Sequence, residues 1–291
     1  SSICITILMR LESRMPLPYL PLSSENRSCI PCVDVIAIPP RPRMVFTISS
    51  TKPAACGETA PQKREQLQEK TVKLTFLGHA CFLVQAGAHT LILDPFLTNS
   101  RTAAMRAADV EATHMLISHA HGDHIGDAAP IAERCGCTVF CTPETGAMLH
   151  APHARQENGQ PGGRIQTEFG SVKFLPAEHS SGAPGGVACG FLIEIGGKRI
   201  YFAGDTGLMA DMVLLAGEEI DAALLPIGDR YTMGPEDAVR AAEMIQPRLV
   251  IPMHYDTFPT IEQDPQAFRR LVEEKTGIPV AVLKPGEAIM L

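Results

Sequence analysis

The chain has 291 residues, of which 45% are hydrophobic and 20% charged, an ordinary composition for a globular protein with a substantial core. Its formal net charge of −7 is divided unevenly: residues 1–70 carry nine Lys/Arg and six Asp/Glu, which leaves sixteen and twenty-six, or −10, for residues 71–291. A domain that acidic is a poor candidate for binding a nucleic-acid backbone, which requires clusters of Lys and Arg.

The nine cysteines are scattered along the chain, so they do not indicate the disulfide framework of a small secreted domain. Cys29 and Cys32 form a C-x-x-C pair, but no second pair follows at the spacing of a zinc ribbon. We therefore expect a reducing compartment, with the cytoplasm as first choice. No run of apolar residues approaches the ~20 needed to cross a bilayer, so we expect no membrane-spanning segment.

Residues 1–70 differ in character from the rest of the chain. They contain nine of the 24 prolines and eight serines, without a sustained helical or alternating period. The segments M-P-L-P-Y-L-P-L and I-P-P-R-P-R would interrupt any regular element. Three interpretations stay open: a disordered extension, an organellar transit peptide, or an error of gene prediction that is not native sequence. We expect an extension that contributes nothing to the fold, followed by one domain over residues 71–291.

The pattern changes at Val72 to short β-rich runs. V-K-L-T-F-L, C-F-L-V-Q-A and T-L-I-L-D-P are separated by Gly-containing turns at the spacing of a β-meander. A fourth predicted strand, H-M-L-I-S, comes next. The sequence then predicts a helix over 125–135, a strand over 138–141 and a helix over 143–149 that opens with Pro.

A second series of strands begins after a Gly-rich loop at 161–163. V-K-F-L-P-A, F-L-I-E-I and R-I-Y-F-A-G-D are predicted strands, and the Gly-Gly-Lys between the last two predicts a hairpin. Further predicted strands and helices follow in the order strand, helix, strand, helix and strand, at 222–226, 235–246, 249–253, 265–275 and 280–283. Strands precede helices in both halves, which fits two mixed β-sheets packed face to face with helices outside.

The segment S-H-A-H-G-D-H is the most informative part of the sequence. His119 and His121 are two apart at a predicted strand end, so an extended backbone directs both to one side. Gly122 permits a sharp turn, after which Asp123 and His124 face a second position beside the first. Imidazoles and carboxylates are the usual ligands of catalytic divalent metals. The loop therefore predicts two adjacent ions, the geometry of two-metal hydrolysis.

Three later residues are further candidate ligands, because His179, Asp205 and His254 each follow an apolar predicted strand. Each alone is equally compatible with a hydrogen-bonded structural group. Together with the motif they complete a dinuclear site with Asp205 between the ions. The predicted ligands are His119, His121 and His179 for the first ion, and Asp123, His124 and His254 for the second ion.

The spacing of these residues resembles the metallo-β-lactamase superfamily. The motifs L-G-H-A-C-F, D-P-F-L, A-G-D-T-G-L, L-P-I-G, T-M-G-P-E-D-A and P-M-H-Y-D-T-F-P are similar to those of its metal-dependent hydrolase branch related to ascorbate-phosphate lactonase. The resemblance covers about residues 71–291. It implies an α/β fold, a four-layer αββα sandwich of two mixed β-sheets with the metals at the sheet edges. Ser118 stands where the superfamily usually has Thr before the first His, which retains the hydroxyl.

The predicted ligands define the expected chemistry. A hydroxide held between two divalent ions is a strong nucleophile near neutral pH, because metals lower the pKa of water. We expect it to attack the carbonyl or phosphoryl centre of a small-molecule ester, lactone or phosphoester, with Asp123 and Asp205 as the catalytic carboxylates. Histidines and carboxylates without a thiolate favour Zn²⁺, and Mn²⁺ and Fe²⁺ also accept such ligands.

Three residues are candidate substrate contacts. His79, in a Gly-His turn, is placed either at the metal rim or simply in the turn. Arg230 and Thr232 lie just before a predicted helix N-terminus, where an anionic group can bind; a solvated arginine is the alternative for Arg230. Asp94, which ends a predicted strand, is expected to hydrogen-bond a ligand or cap a turn.

Three other functions compete with small-molecule hydrolysis. Nucleases and phosphodiesterases occur in the same superfamily, but the acidic domain lacks basic and aromatic binding stretches, so we expect no nucleic-acid partner. A di-iron oxidoreductase would need an electron-donating domain, which the chain does not carry. A non-catalytic metal-binding protein is the third. The sequence leaves the oligomeric state open, with a homo-oligomer among the options.

Overall fold

The computed structural model describes residues 71–291. The predictions made for residues 1–70, including those for the Cys29 and Cys32 pair, lie outside the described residues. Thirteen strands and five α-helices follow one another within this part of the chain. The strands are β1 (Lys73–Gly78), β2 (Cys81–Ala86), β3 (His89–Leu93), β4 (His114–Leu116), β5 (Thr138–Cys141), β6 (Gln156–Asn158), β7 (Arg164–Thr167), β8 (Gly170–Pro176), β9 (Cys189–Ile195), β10 (Lys198–Phe202), β11 (Ala222–Pro226), β12 (Val250–Met253) and β13 (Ala288–Met290). The helices are α1 (Gly122–Ile125), α2 (Ala128–Cys135), α3 (Pro143–Met148), α4 (Pro235–Ile245) and α5 (Pro265–Thr276), and a 3-10 helix spans Ala210–Glu218.

The strands form two mixed sheets. The first has the order β13-β1-β2-β3-β4-β5-β6, and the second has the order β12-β11-β10-β9-β8-β7. Each sheet begins as an antiparallel meander and continues with parallel strands, β3 to β6 in the first and β10 to β12 in the second. The parallel strands require crossover connections, and these carry the helices.

A hydrophobic core fills the space between the two sheets. β2 and β9 are buried along nearly their whole length, as expected for strands covered on both faces. Phe82, Phe174 and Phe191 lie in this core. A smaller cluster, which includes Ile92 and Ile131, packs the outer face of the first sheet against α2. The α/β sandwich predicted from the sequence is therefore confirmed.

Three sequence predictions are corrected by the structure. The helix expected over 125–135 is interrupted at Gly126, because the chain after β3 packs into the break: the Asp127 N–H donates to the Pro95 carbonyl at 2.7 Å.

The closing strand expected over 280–283 is wrong. Val280 makes one isolated parallel bridge to Val250 of β12, and Pro279 before it has no N–H to extend the ladder in that direction. The closing strand is β13, which pairs with β1.

The third correction concerns β6 and β7, which the sequence analysis did not predict. They have the sequences Q-E-N and R-I-Q-T, so they lack the apolar alternation that identifies a strand. Each lies at the edge of its sheet, where polar side chains are tolerated because one side faces solvent. No helix within residues 71–291 is long and apolar enough to cross a membrane.

Candidate metal centre

The predicted ligands meet because their strands end at one edge of the sandwich. β10 and β12 are both parallel to β11, and β8 shares their direction because both β8 and β10 are antiparallel to β9. His179, Asp205 and His254 therefore leave their strands at the same edge. The loop after β4 in the first sheet brings His119 and His124 to this edge as well, and its backbone is tied to the second sheet.

Three imidazoles form a first group. His119 Nε2 lies 2.9 Å from His121 Nδ1, and His121 Nδ1 lies 3.2 Å from His179 Nε2. Two nitrogens bound tetrahedrally to one zinc at ~2.0 Å are about 3.3 Å apart, so this spacing fits a single ion. Only His119 of the three is fully buried, which leaves one side of the group open to solvent.

A second group lies deeper, around His124 and His254. These two rings are stacked with centroids 5.5 Å apart. Asp123 and His79 complete the group, and one potential ligand atom from each of the four residues lies within 4.8 Å of every other. The sequence alone is compatible with His79 as a substrate contact or a turn residue, so its place within this group is a structural finding.

Asp205 lies between the two groups. Its Oδ1 is 3.3 Å from His124 Nε2, and its Oδ2 is 3.0 Å from His254 Nε2 and 3.6 Å from His179 Nε2. One carboxylate thus contacts imidazoles of both groups. The residue follows β10 in the left-handed turn at Gly204, where any Cβ would meet the Ser118 side chain at 2.9 Å.

Asp94 orients two of the ligands from behind. This buried carboxylate accepts hydrogen bonds from the Ser118 N–H at 2.7 Å, the Ser118 hydroxyl at 2.5 Å and His124 Nδ1 at 2.7 Å. Because the Ser118 hydroxyl donates to Asp94, it accepts from His119 Nδ1 at 2.9 Å. Both imidazoles therefore donate from Nδ1 to a partner behind the ring and direct Nε2 into the centre, as metal-ligating histidines generally do.

Several atoms in the centre are buried without a hydrogen-bond partner. Among the described residues, six buried side-chain nitrogen or oxygen atoms have none, and five of them lie here: His79 Nε2, His124 Nε2, Asp205 Oδ1 and both ring nitrogens of His254. Unsatisfied buried polar atoms each cost about 1–3 kcal/mol and are rare in folded proteins. Their convergence is the arrangement that a cation would satisfy.

The electrostatics of the site favour a positive ion. Burial lowers the pKa of His119 well below its usual value, and nearby His124 adds to the effect, so its lone pair is available. Burial opposes protonation of His124 as well, but the carboxylates of Asp205 and Asp94 outweigh it and raise its pKa. Burial would raise the pKa of Asp205, yet His124 and His254 hold it well below its usual range. The pocket thus holds carboxylates that need a cationic partner.

The surroundings include an open cavity and the remaining candidate residues. The cavity of about 550 Å³ is lined by residues 177–187, including His179 of the first group. Thr232 is buried and donates to the Met233 carbonyl. Met233 in turn donates its N–H to the carbonyl of Thr206, next to Asp205. Arg230, earlier in the same loop, is exposed, with its guanidinium 5.6 Å from the ring centre of Tyr231.

A separate group lies at the opposite ends of β3 and β4. His114 Nε2 is 2.9 Å from Glu168 in the β7–β8 turn, and His89 is close to both. This contact is not predictable from the sequence, because nothing in the pattern relates the start of one strand to a turn 54 residues later. Thr113 also contacts His114 Nδ1 at 2.9 Å, so both ring nitrogens have partners and a structural hydrogen bond accounts for the group.

Comparison with known proteins places these features in a family. The model of the beta-lactamase superfamily domain matches residues 89–255. A UPF0173 metal-dependent hydrolase of Symbiobacterium thermophilum is 45% identical over 224 residues, which is 76% of this chain and 100% of that protein. Igni18, a metallo hydrolase from the archaeon Ignicoccus hospitalis, is 35% identical with a TM-score of 0.71, over 76% of this chain and 98% of that chain.

A more distant structure has the same architecture. The metallo-beta-lactamase fold protein YhfI from Bacillus subtilis is 15% identical with a TM-score of 0.62, over 76% of this chain and 100% of that chain. At that identity the likeness concerns the fold alone. The family assignment rests instead on the domain match and on the two more similar relatives, which this chain covers almost completely. The chain belongs to the metallo-β-lactamase superfamily, among the UPF0173 metal-dependent hydrolases.

Proposed function

We propose that the centre holds two divalent ions and hydrolyses a small-molecule ester, lactone or phosphoester. The observation that carries the proposal is the convergence of buried lone pairs without partners from His124, His254 and Asp205, beside the three imidazoles of the first group. Two adjacent ions would satisfy these atoms. We rank Zn²⁺ first, because the ligand set combines imidazoles with carboxylates; Mn²⁺ and Fe²⁺ accept the same set.

The proposed ligands follow the two groups. His119, His121 and His179 would hold the first ion, Asp123, His124 and His254 would hold the second, and Asp205 would contact both. Bound divalent ions supply two effects, since they lower the pKa of water and polarise a carbonyl or phosphoryl oxygen.

The chain's own carboxylates position the reactants. Asp205 is buried between the groups and stays ionised because of its imidazole neighbours, so it balances the positive charge of the centre. Asp123 is half-buried at the rim, where its second oxygen can orient an attacking water molecule. The open cavity lined by residues 177–187 leaves room for a small substrate beside His179.

Substrate recognition is assigned to the loop before α4. Arg230 is the exposed cation of this loop, which adjoins Asp205 through Met233 and Thr206, and a guanidinium pairs well with a carboxylate or phosphate. Thr232 supplies a hydroxyl on the same loop. An anionic small molecule fits this placement better than a nucleic acid, because residues 71–291 carry a formal charge of −10.

The test combines metal analysis with a hydrolysis screen of the full chain. We expect about two divalent ions per chain and turnover of at least one lactone, ester or phosphoester. Asp205→Asn should abolish turnover and lower the metal content. Asp221→Asn is the matched control, since Asp221 is also a mostly buried carboxylate beside a strand of the second sheet but pairs with Lys198 and Arg248 instead.

The screen also separates the competing functions. A chain that binds no metal after incubation with Zn²⁺ or Mn²⁺ contradicts the proposal. Faster cleavage of RNA or DNA than of any small ester would favour the nuclease. Two bound ions without turnover of any substrate class would favour a non-catalytic metal-binding protein.

A further inference from the structure

His79 is buried beside the metal centre. The residue is 1% exposed, and its ring lies 4.1 Å from that of His254 and 5.6 and 5.7 Å from those of Phe96 and Phe258. Its backbone is in the left-handed region at φ 56°, which is unfavourable for a residue other than glycine. Its carbonyl accepts the N–H of His254 at 2.8 Å. The fold therefore imposes this position on the imidazole.

The hydrogen bonds of the ring decide which nitrogen carries the proton. His79 Nδ1 lies 2.9 Å from Thr257 Oγ1, and that hydroxyl donates its own proton to the Tyr255 carbonyl at 3.4 Å. With its proton directed to Tyr255, Thr257 can accept from Nδ1–H, the tautomer that leaves Nε2 its lone pair. This is the pattern of His119 and His124, whose Nδ1 atoms also donate to a partner behind the ring.

The free nitrogen points into the second group. Nε2 is buried and makes no hydrogen bond, although Asp123 Oδ2 is only 3.2 Å away. A lone pair facing a carboxylate oxygen is repulsive when both groups lack a proton. A cation between them makes both contacts attractive, because each atom then acts as a ligand. The unpartnered nitrogens of His124 and His254 face the same space.

We infer that His79 Nε2 is a ligand of the second ion, an inference that rests on the dinuclear centre proposed above. The second ion would then be held by His79, Asp123, His124 and His254, with Asp205 as a further contact. His79, Asp123, His124 and His254 alone would supply the four ligands of a closed zinc site. The first ion would have three imidazoles and Asp205, one donor fewer than the second, so we expect substrate oxygen at the first ion, next to the 177–187 cavity.

Two substitutions of equal size distinguish a ligand from a hydrogen-bond donor. His79→Glu places a carboxylate, which binds divalent metals, at the reach of Nε2. His79→Gln places an amide there, which donates to Asp123 but is a poor zinc ligand. Removing an indirect partner of a metal site typically costs 10–100-fold in affinity, so we expect His79→Gln to weaken the second ion by at least ~100-fold. His79→Glu should bind it tighter than His79→Gln does.

The measurement is calorimetric titration of the metal-free full chain with Zn²⁺, repeated with Co²⁺ to follow the visible spectrum of each ion. The affinity of the first ion should stay unchanged in both variants, which also reports that they fold. Thr257→Val is the matched variant behind the ring, and we expect a loss of about 10-fold at the second ion. A second-ion affinity that falls in the order wild type, His79→Glu, His79→Gln supports His79 as a ligand.

The opposite order overturns the inference. If His79 only positions Asp123 by donating to it, His79→Gln should keep the wild-type affinity for the second ion. His79→Glu should then lower that affinity, because its carboxylate repels that of Asp123. Wild-type chain that binds fewer than two ions defeats the proposed dinuclear centre instead, so the two failures are distinguishable. The number of histidine ligands can also be counted without variants, by NMR of the ¹¹³Cd-loaded wild-type chain with ¹⁵N-labelled histidine. There the second cadmium couples to three imidazole nitrogens if His79 binds it, and to two if it does not.

Discussion

Replacing Asp94 by Asn should weaken metal binding at the proposed second position, because it moves the proton of His124 from Nδ1 to Nε2. Asp94 accepts from His124 Nδ1 and from both donors of Ser118. In Asp94→Asn the amide oxygen stays opposite the Ser118 N–H, and the new NH₂ group takes the place of Oδ2, the oxygen that accepts the other two bonds. His124 can satisfy that amide only by accepting on Nδ1, which moves its proton to Nε2, the proposed ligand atom. The loss of an outer partner costs 10–100-fold in metal affinity, or about 1.4–2.7 kcal/mol.

The same substitution also lowers stability. Hydrogen bonds to a charged group contribute about 1.5–3 kcal/mol each, and two of the three at Asp94 lose their acceptor, so metal-free protein should be less stable by about 3 kcal/mol or more. Urea unfolding in the presence of a chelator measures this loss. Zinc titration measures the affinity of each ion separately.

Asp127→Asn is the control that separates stability from metal binding. Asp127 also accepts three hydrogen bonds, from Leu97 N–H and from the N–H and hydroxyl of Thr98, but none of them involves a proposed ligand. We expect it to lose stability and keep both ions. A second-ion affinity for Asp94→Asn within threefold of the wild-type value would refute the reasoning from the His124 tautomer.

Two further predictions concern the first group and the thiols. Gly182→Ala should weaken the first ion by about 10-fold without affecting the second, because the new Cβ would lie 2.7 Å from the His121 ring. Gly185→Ala, at a similar φ of +72° with open space around its Cβ, is the control, and equal losses in both variants would contradict a direct effect on His121. Burial raises the pKa of Cys81 and Cys189 well above the usual thiol range, so iodoacetamide at pH 8 should label both only after unfolding. Peptide mass spectrometry checks this, and labelling at equal rates in native and urea-unfolded protein would show that the thiols are accessible.

The sequence allows the sandwich to be predicted, since its apolar runs are central strands. His179, Asp205 and His254 were placed near the motif for the same reason: each follows a strand whose carboxyl end lies at a shared edge. The polar edge strands and the position of β13 were not predictable, because they depend on neighbours that pair with them rather than on an apolar pattern.

The place of His79 depends on contacts that no local pattern encodes. Its ring is fixed by Thr257, 178 residues away, and its carbonyl by His254. A Gly-His turn after the first strand is equally compatible with a solvated side chain, so only the packed structure shows that the ring is enclosed. The strand-end position of Asp94 predicts in general terms that it orients a ligand. Its donors, Ser118 and His124, are likewise visible only in the packed structure.

The hydrogen bond from His254 to the carbonyl of His79 has a consequence for biosynthesis. A ribosome releases β1 early and β12 near the end of synthesis, and loop closure over so long a span must precede any contact between them. The residues of the first group all emerge by position 179, whereas the second group is incomplete until His254 has left the exit tunnel. The imidazoles proposed for the first ion are therefore synthesised before the set proposed for the second, and a nascent chain that ends before His254 lacks a proposed ligand of the second ion.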